Sequence, residues 1–243
     1  MQKQIIPTIL VKTFEEVEEK IKLVEDYVEW VQIDVMDGVF VYNETWPHSA
    51  VPGKAKRGKA YTKEIEKLKK INTKLKIEIH LMVERPEDEF DDWLKVADRI
   101  FVHFESKITN RELGIRAMIE KAHAQGKEFG LVLNPETHFA AVLPFIKDLD
   151  LVLFMTVQPG WGGQEFKYWV LEKIEALRKR WPKGDIEVDG GVNDENIKKI
   201  AKAGTNLFGV GTYIYRSKDI NPSPLDEGDR VKKAIEKLNK LIK

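Results

Sequence analysis

A closed (β/α)8 TIM barrel is the fold predicted for this chain, and three observations predict it. Eight short β-branched runs alternate with amphipathic stretches along the whole sequence. The runs are almost continuously apolar, which marks strands of a parallel sheet covered on both faces. The length of 243 residues suits eight βα units, since barrels of this kind typically take about 250 residues. An open, doubly wound sheet is disfavoured because no Gly-rich fingerprint follows the first run.

The expected strands are Ile5–Leu10, Trp30–Val35, Lys76–Met82, Ile100–Phe104, Glu128–Leu133, Leu151–Met155, Ile186–Val188 and Leu207–Val210. In Thr13–Val28 the residues Phe14, Val17, Ile21, Val24 and Val28 recur at helical spacing above a Glu/Lys face. Thr13 is the expected N-cap, with Glu16 as its capping-box partner. Helices are likewise expected in Tyr61–Ile71, Pro86–Val96, Gly114–Ala124, Phe139–Ile146, Tyr168–Trp181, Asn193–Ala203 and Asp229–Ile242. No composition break marks a second domain, so residues 1–243 read as one. The connection at about 38–60 is too long and too punctuated for an ordinary βα loop, and it carries Lys54, Lys56, Arg57 and Lys59. A solvated charged loop is its default reading, and a lid closing on a phosphate is the alternative.

Composition excludes several functions. With 40 Lys+Arg against 40 Asp+Glu the net charge is zero, which argues against a nucleic-acid partner bound through bulk charge. The absence of cysteine removes disulfides, thiolate nucleophiles, zinc fingers and iron–sulfur clusters. No signal peptide and no apolar run of membrane-spanning length is present, so a soluble cytoplasmic protein without a membrane partner is expected.

In such a barrel the chemistry gathers at the C-terminal ends of the strands. There the second strand carries Gln32 and Asp34, the third His80, the fourth His103 and the seventh Asp189. Alternation puts Gln32 and Asp34 on one face and Ile33 and Val35 on the other. Alone, Asp34 reads as a loop or cap carboxylate, Asp189 as a turn former and His80 as a core histidine. Together they place two carboxylates and an imidazole at one mouth. His103 stands at a strand end with no indication of what it faces, and His48, His123 and His138 receive no role. The glycine loops Gly160-Trp161-Gly162-Gly163, Gly190-Gly191 and Gly211-Thr212 follow three successive strands. Their backbone N–H groups are placed to converge on a phosphate, although each loop alone reads equally as a tight turn. Trp161 reads either as a lid side chain or as a packed aromatic. Met36, Met82 and Met155 end three strands, either as core filler or as a dry wall around a reacting carbon.

These residues resemble the ribulose-phosphate 3-epimerase family. The resemblance is carried by Pro7-Thr8-Ile9-Leu10, Ile33-Asp34-Val35-Met36-Asp37-Gly38, His80-Leu81-Met82-Val83 and Asn134-Pro135-Glu136-Thr137. It continues through Met155-Thr156-Val157, Pro159-Gly160-Trp161-Gly162-Gly163-Gln164 and Glu187-Val188-Asp189-Gly190-Gly191-Val192, in the family's order from residue 5 to about 215. It implies a ribulose-phosphate-binding barrel that inverts C3 of a ketopentose 5-phosphate, ribulose 5-phosphate to xylulose 5-phosphate, with Asp34 and Asp189 as acid/base carboxylates. A ketohexose 6-phosphate epimerase and a non-catalytic phosphosugar-binding barrel are the alternatives. The resemblance further implies Thr8, His80 and the glycine loops as substrate and phosphate contacts, a homo-oligomer, no organic cofactor, and a divalent metal on Asp34, His80 and Asp189. The family's fourth ligand, a histidine, is Gln32 here, and Val39 replaces the usual histidine after Gly38. Glutamine is a poor partner for Zn. The metal is Zn, Mn, Fe or Mg by resemblance, and three outcomes stand at this position: a weak site on Asp34, His80 and Asp189, with or without Gln32, for a harder ion such as Mn or Mg; a metal-free site in which Gln32 donates a hydrogen bond to the developing oxyanion; or loss of the reaction.

Overall fold

The computed structural model describes residues 1–51, 58–216 and 227–243. Eight parallel strands close on themselves in sequence order: β1 (Gln4–Ile9), β2 (Trp30–Met36), β3 (Lys76–Met82), β4 (Arg99–His103), β5 (Glu128–Leu133), β6 (Leu151–Met155), β7 (Asp185–Asp189) and β8 (Leu207–Val210). The ring is completed by pairing of β1 with β8, Pro7 opposite Val210. Described helices are α1 (Phe14–Val24), α2 (Lys59–Ile65), α3 (Phe90–Trp93), α4 (Arg111–Ala124), α5 (Val170–Arg180), α6 (Ile197–Ala203), α7 (Thr212–Arg216) and α8 (Glu227–Ile242).

Strand parity divides the apolar residues into two cores. Side chains such as Ile33, Val35, Ile79 and Val188 point outward and pack with the helices, where α1 contributes Val17, Ile21 and Val24. The inward set includes Ile6, Trp30, Phe101, Leu151 and Leu153, so the barrel interior is filled rather than open. Lower in the interior, Arg99 lies with its guanidinium 4.1 Å from the Trp30 ring and bonds Glu78 at 2.7 Å.

Thr13 caps α1 as the sequence suggests: its hydroxyl accepts from the Glu16 N–H at 3.2 Å while the Glu16 carboxylate accepts from the Thr13 N–H at 3.0 Å. Several helices are shorter than their patterns. Pro86–Val96 splits into a 3-10 turn, Pro86–Asp88, and the single turn of α3. The break falls at Glu89, whose buried carboxylate accepts from the Trp93 indole at 3.0 Å and from the Tyr61 hydroxyl. In Asn193–Ala203 the Asn193 carboxamide accepts from the N–H groups of Glu195 and Asn196, a local turn that delays the helix to Ile197. Phe139–Ile146 keeps only a 3-10 turn, Phe139–Val142. The long connection after β2 runs across the barrel mouth through an antiparallel bridge of Asp37 with Glu44 and a 3-10 turn at His48–Ala50. Lys59 opens α2, whereas Lys54, Lys56 and Arg57 lie outside the described residues. Among the described residues no helix is long and apolar enough to cross a membrane.

Candidate active site

The register places Asp34 of β2 directly opposite His80 of β3 and Asp189 of β7 opposite Gly209 of β8. All three polar residues face inward, because each shares parity with the inward set. Their ligand atoms lie within 4.8 Å of one another. His80 Nδ1 stands 3.2 Å from Asp34 Oδ1 and 3.6 Å from Asp189 Oδ2.

Gln32 ties this group together. Its amide nitrogen donates to Asp34 Oδ1 at 2.7 Å and to Asp189 Oδ2 at 2.8 Å, and it lies 3.3 Å from His80 Nδ1. Both amide hydrogens are thereby engaged, while the buried Gln32 Oε1 has no partner. One imidazole and two carboxylates at this spacing suit a divalent ion with nitrogen and oxygen ligands, so the residues present fit a metal. The fourth position offers an amide rather than an imidazole, and the amide spends its hydrogens on the carboxylates that would be ligands.

The electrostatics follow from burial and close charge. Burial, and then the charge of Asp189, raise the Asp34 pKa above the usual carboxylate value. Burial alone would lower that of His80, but the carboxylates of Asp189 and Asp34 beside it outweigh this and lift it to about 9. On its far side His80 Nε2 lies 2.9 Å from His103 Nε2, the two rings meeting edge to edge with 17° between their planes and 5.0 Å between centroids. Burial pushes His103 down to about 4.

Above the carboxylates a cavity of about 430 Å³ opens to solvent, and Thr8, Asp34 and Asp189 line it. Its apolar wall includes Met36, Met82 and Met155, each nearly fully buried. At the other end lie Gly160, Trp161, Gly162 and Gly163, then Gly190 and Gly191, then Gly211 and Thr212. Gly190 has φ of 111°, and a Cβ there would stand 2.4 Å from Val157, so only glycine fits. A Cβ at Gly211 would lie 2.7 Å from the Thr8 hydroxyl, which shows how closely β1 approaches this loop. Trp161 is largely exposed at the rim, so it is not a packed core aromatic.

The sequence-selected residues thus meet at one cavity, with two distinctions. Gln32 and His80 are fully buried beneath the carboxylates and do not line the cavity wall. His103, whose surroundings sequence reasoning left open, belongs to the same cluster, and Glu105, missed altogether, lies 3.3 Å from His103 Nδ1. The missed signal was the His-x-Glu spacing at the end of β4. His123 pairs with Asp150 on the surface, and His138 caps a 3-10 turn. His48 joins Tyr61 and Glu89 in a separate buried cluster.

Comparison with known proteins agrees with this arrangement. The profile of the Ribulose-phosphate 3 epimerase family matches residues 4–215. A ribulose-phosphate 3-epimerase of Schizosaccharomyces pombe is 35% identical over 219 residues, covering 89% of each chain. The Bacillus subtilis ribulose-phosphate 3-epimerase is 36% identical over 223 residues, covering 89% of this chain and 94% of its own. Among solved structures, a 3-hexulose-6-phosphate synthase superposes with a TM-score of 0.67 at 18% identity, covering 99% of this chain and 100% of its own, a likeness of fold. A family profile over nearly the whole barrel, together with relatives of this similarity, shows that the chain belongs to the ribulose-phosphate 3-epimerase family.

Proposed function

We infer that the chain is an isomerase that interconverts ribulose 5-phosphate and xylulose 5-phosphate, with Asp34 and Asp189 as its two acid/base groups. The observation that carries this reading is the pair of carboxylates, from the non-adjacent strands β2 and β7, meeting within 4.8 Å at the floor of one cavity. Inversion at C3 removes a proton alpha to the C2 carbonyl, forms an enediolate and returns a proton to the opposite face. A base on each side of the carbon meets that need. Two carboxylates this close favour a state in which one is protonated while the other is ionised, and the upward shift of Asp34 is in keeping with that. The proton taken by one carboxylate and the proton given by the other leave the pair ready for the reverse reaction.

The remaining roles are assigned by position. The backbone N–H groups of the loops at Gly160–Gly163, Gly190–Gly191 and Gly211–Thr212 would hold the phosphate, with Thr8 between them and the carboxylates. Met36, Met82 and Met155 would exclude water around the enediolate. Trp161 at the rim would cover the bound sugar.

Asp34, His80 and Asp189 would hold a divalent ion, which supplies Lewis-acid polarisation of the substrate oxygens when bound. Gln32 sets the strength of that site. Its amide donates to both carboxylates, partly neutralises their repulsion without an ion, and should lower metal affinity relative to an imidazole in the same place. Replacement Gln32→His is expected to raise the metal content of the purified protein, read by elemental analysis, and to make turnover more sensitive to chelator. Unchanged metal content and turnover would mean that position 32 does not govern the strength of the site.

The central test is Asp34→Asn and Asp189→Asn in a coupled assay with ribulose 5-phosphate, with ketohexose 6-phosphates as competing substrates. Each replacement should lower turnover by at least about a hundredfold, as expected for loss of a positioned acid or base, with circular dichroism unchanged. Full rate in either variant rejects the assignment.

A further inference from the structure

Behind the carboxylates a chain of hydrogen bonds leaves the site and ends in the loop after β5. His80 Nε2 lies 2.9 Å from His103 Nε2, and His103 Nδ1 lies 3.3 Å from Glu105 Oε2. Glu105 Oε1 in turn accepts from the Asn134 N–H at 2.9 Å and from the Thr137 hydroxyl. Asn134 and Thr137 belong to the Asn134-Pro135-Glu136-Thr137 motif, which contributes nothing to the chemistry assigned above. None of the named members of this chain, His80 included, lines the cavity.

Counting hydrogens along the chain allows one arrangement. Glu105 already accepts two donors on Oε1, and an ionised carboxylate has no hydrogen to offer. The hydrogen between Glu105 and His103 therefore sits on His103 Nδ1. A neutral imidazole protonated at Nδ1 is bare at Nε2, so the hydrogen between the two rings belongs to His80 Nε2. His103 is the neutral ring of the pair, because His80 faces two carboxylates, Asp34 at 3.2 Å and Asp189 at 3.6 Å, whereas His103 faces Glu105 alone. With its Nε2 so committed, His80 directs Nδ1 at Asp34 and Asp189. Gln32 cannot serve Nδ1, since both amide hydrogens go to the carboxylates.

We propose that Glu105 and His103 are positioning residues that fix the proton of His80 on Nε2, so that Nδ1 is always the nitrogen presented to the Asp34–Asp189 pair. The Asn134–Thr137 loop is the anchor of this relay, because it orients the Glu105 carboxylate. Once the Nδ1 proton has left, Nδ1 would be the one nitrogen His80 offers a divalent ion, an orientation that partners of ligating histidines commonly fix.

The deciding readout is proton positions without substrate or metal, so its outcome is separable from that of the epimerase assignment. In protein labelled with nitrogen-15 histidine, long-range proton–nitrogen correlation should show His103 protonated at Nδ1 alone and His80 protonated at Nε2. Glu105→Ala should move the His103 proton towards Nε2 and displace the Nε2 proton of His80. Glu105→Gln, whose amide oxygen can still accept, should restore the original pattern in large part. Thr137→Val, which removes one anchor of Glu105, should give a smaller change in the same direction and serves should Glu105→Ala fail to fold. Titration with Mn²⁺ should show affinity lowered by about ten- to a hundredfold in Glu105→Ala. A His103 ring protonated at Nε2 in the unaltered protein overturns the proposal. So do Glu105→Ala and Thr137→Val proteins that leave both rings unchanged. An inactive chain with the expected proton pattern would reject the epimerase reading and leave the relay standing.

Discussion

His80 shows how one side chain takes its properties from its neighbours. Folding carries it from the ordinary value of 6.5 to about 9, because two carboxylates face a ring that burial alone would keep neutral. A group whose pKa rises on folding binds its proton more tightly in the native state. Its contribution to stability is therefore complete below about pH 6.5 and is lost as the pH climbs towards about 9. Asp34 is shifted in the same direction from 3.8, so it adds to the same trend from lower pH. The chain without added metal should lose thermal stability between about pH 6.5 and 9, and His80→Asn should flatten that slope in melting curves. A slope unchanged in His80→Asn would mean that other groups govern it.

At the scale of elements, the sequence-level pattern is most reliable where one face and its cap agree. The helix α1 is such a case, with Val17, Ile21 and Val24 buried and the capping box of Thr13 and Glu16 closed. Thr13→Ala should cost about 1 kcal/mol in denaturant unfolding, with no change in turnover. The helix pattern fails where a side chain is claimed by a distant partner, as at Glu89, whose carboxylate serves Tyr61 from α2 and thereby interrupts Pro86–Val96. All eight expected strands are present, shifted by no more than a residue at either end. Their near-continuous apolar character is what a buried parallel barrel requires.

Across the whole molecule, the barrel interior is charged in a layer beneath the site. Arg99 bonds Glu78 at 2.7 Å and Glu128 at 2.5 Å, and the fully buried Glu187 stands close by on β7. Burial, and then the charge of Glu78, drive the Glu187 pKa well above the usual carboxylate range. Burial also raises the Glu78 pKa, and the charge and hydrogen bond of Arg99 oppose that rise. Arg99→Met should destabilise the protein by about 3–5 kcal/mol, the cost of leaving a buried charge without its partner, measured by urea unfolding. A loss below about 1 kcal/mol would place this pair in the class of exposed ion pairs.

Sequence alone determined the alternation of strands and helices, the inward parity of Gln32 and Asp34, and the gathering of Asp34, His80 and Asp189 at one end of the barrel. Those features are local, because periodicity and chain order carry them once the barrel is assumed. Only the tertiary structure decided that the Gln32 amide bridges both carboxylates and that His80 lies behind them. It alone joined His103, Glu105 and the Asn134–Thr137 loop to the same cluster. The physical reason is range. Which hydrogen goes to which acceptor across β2, β3, β4 and β7 depends on strand register and on distances of about 3 Å, and no spacing along one strand encodes them.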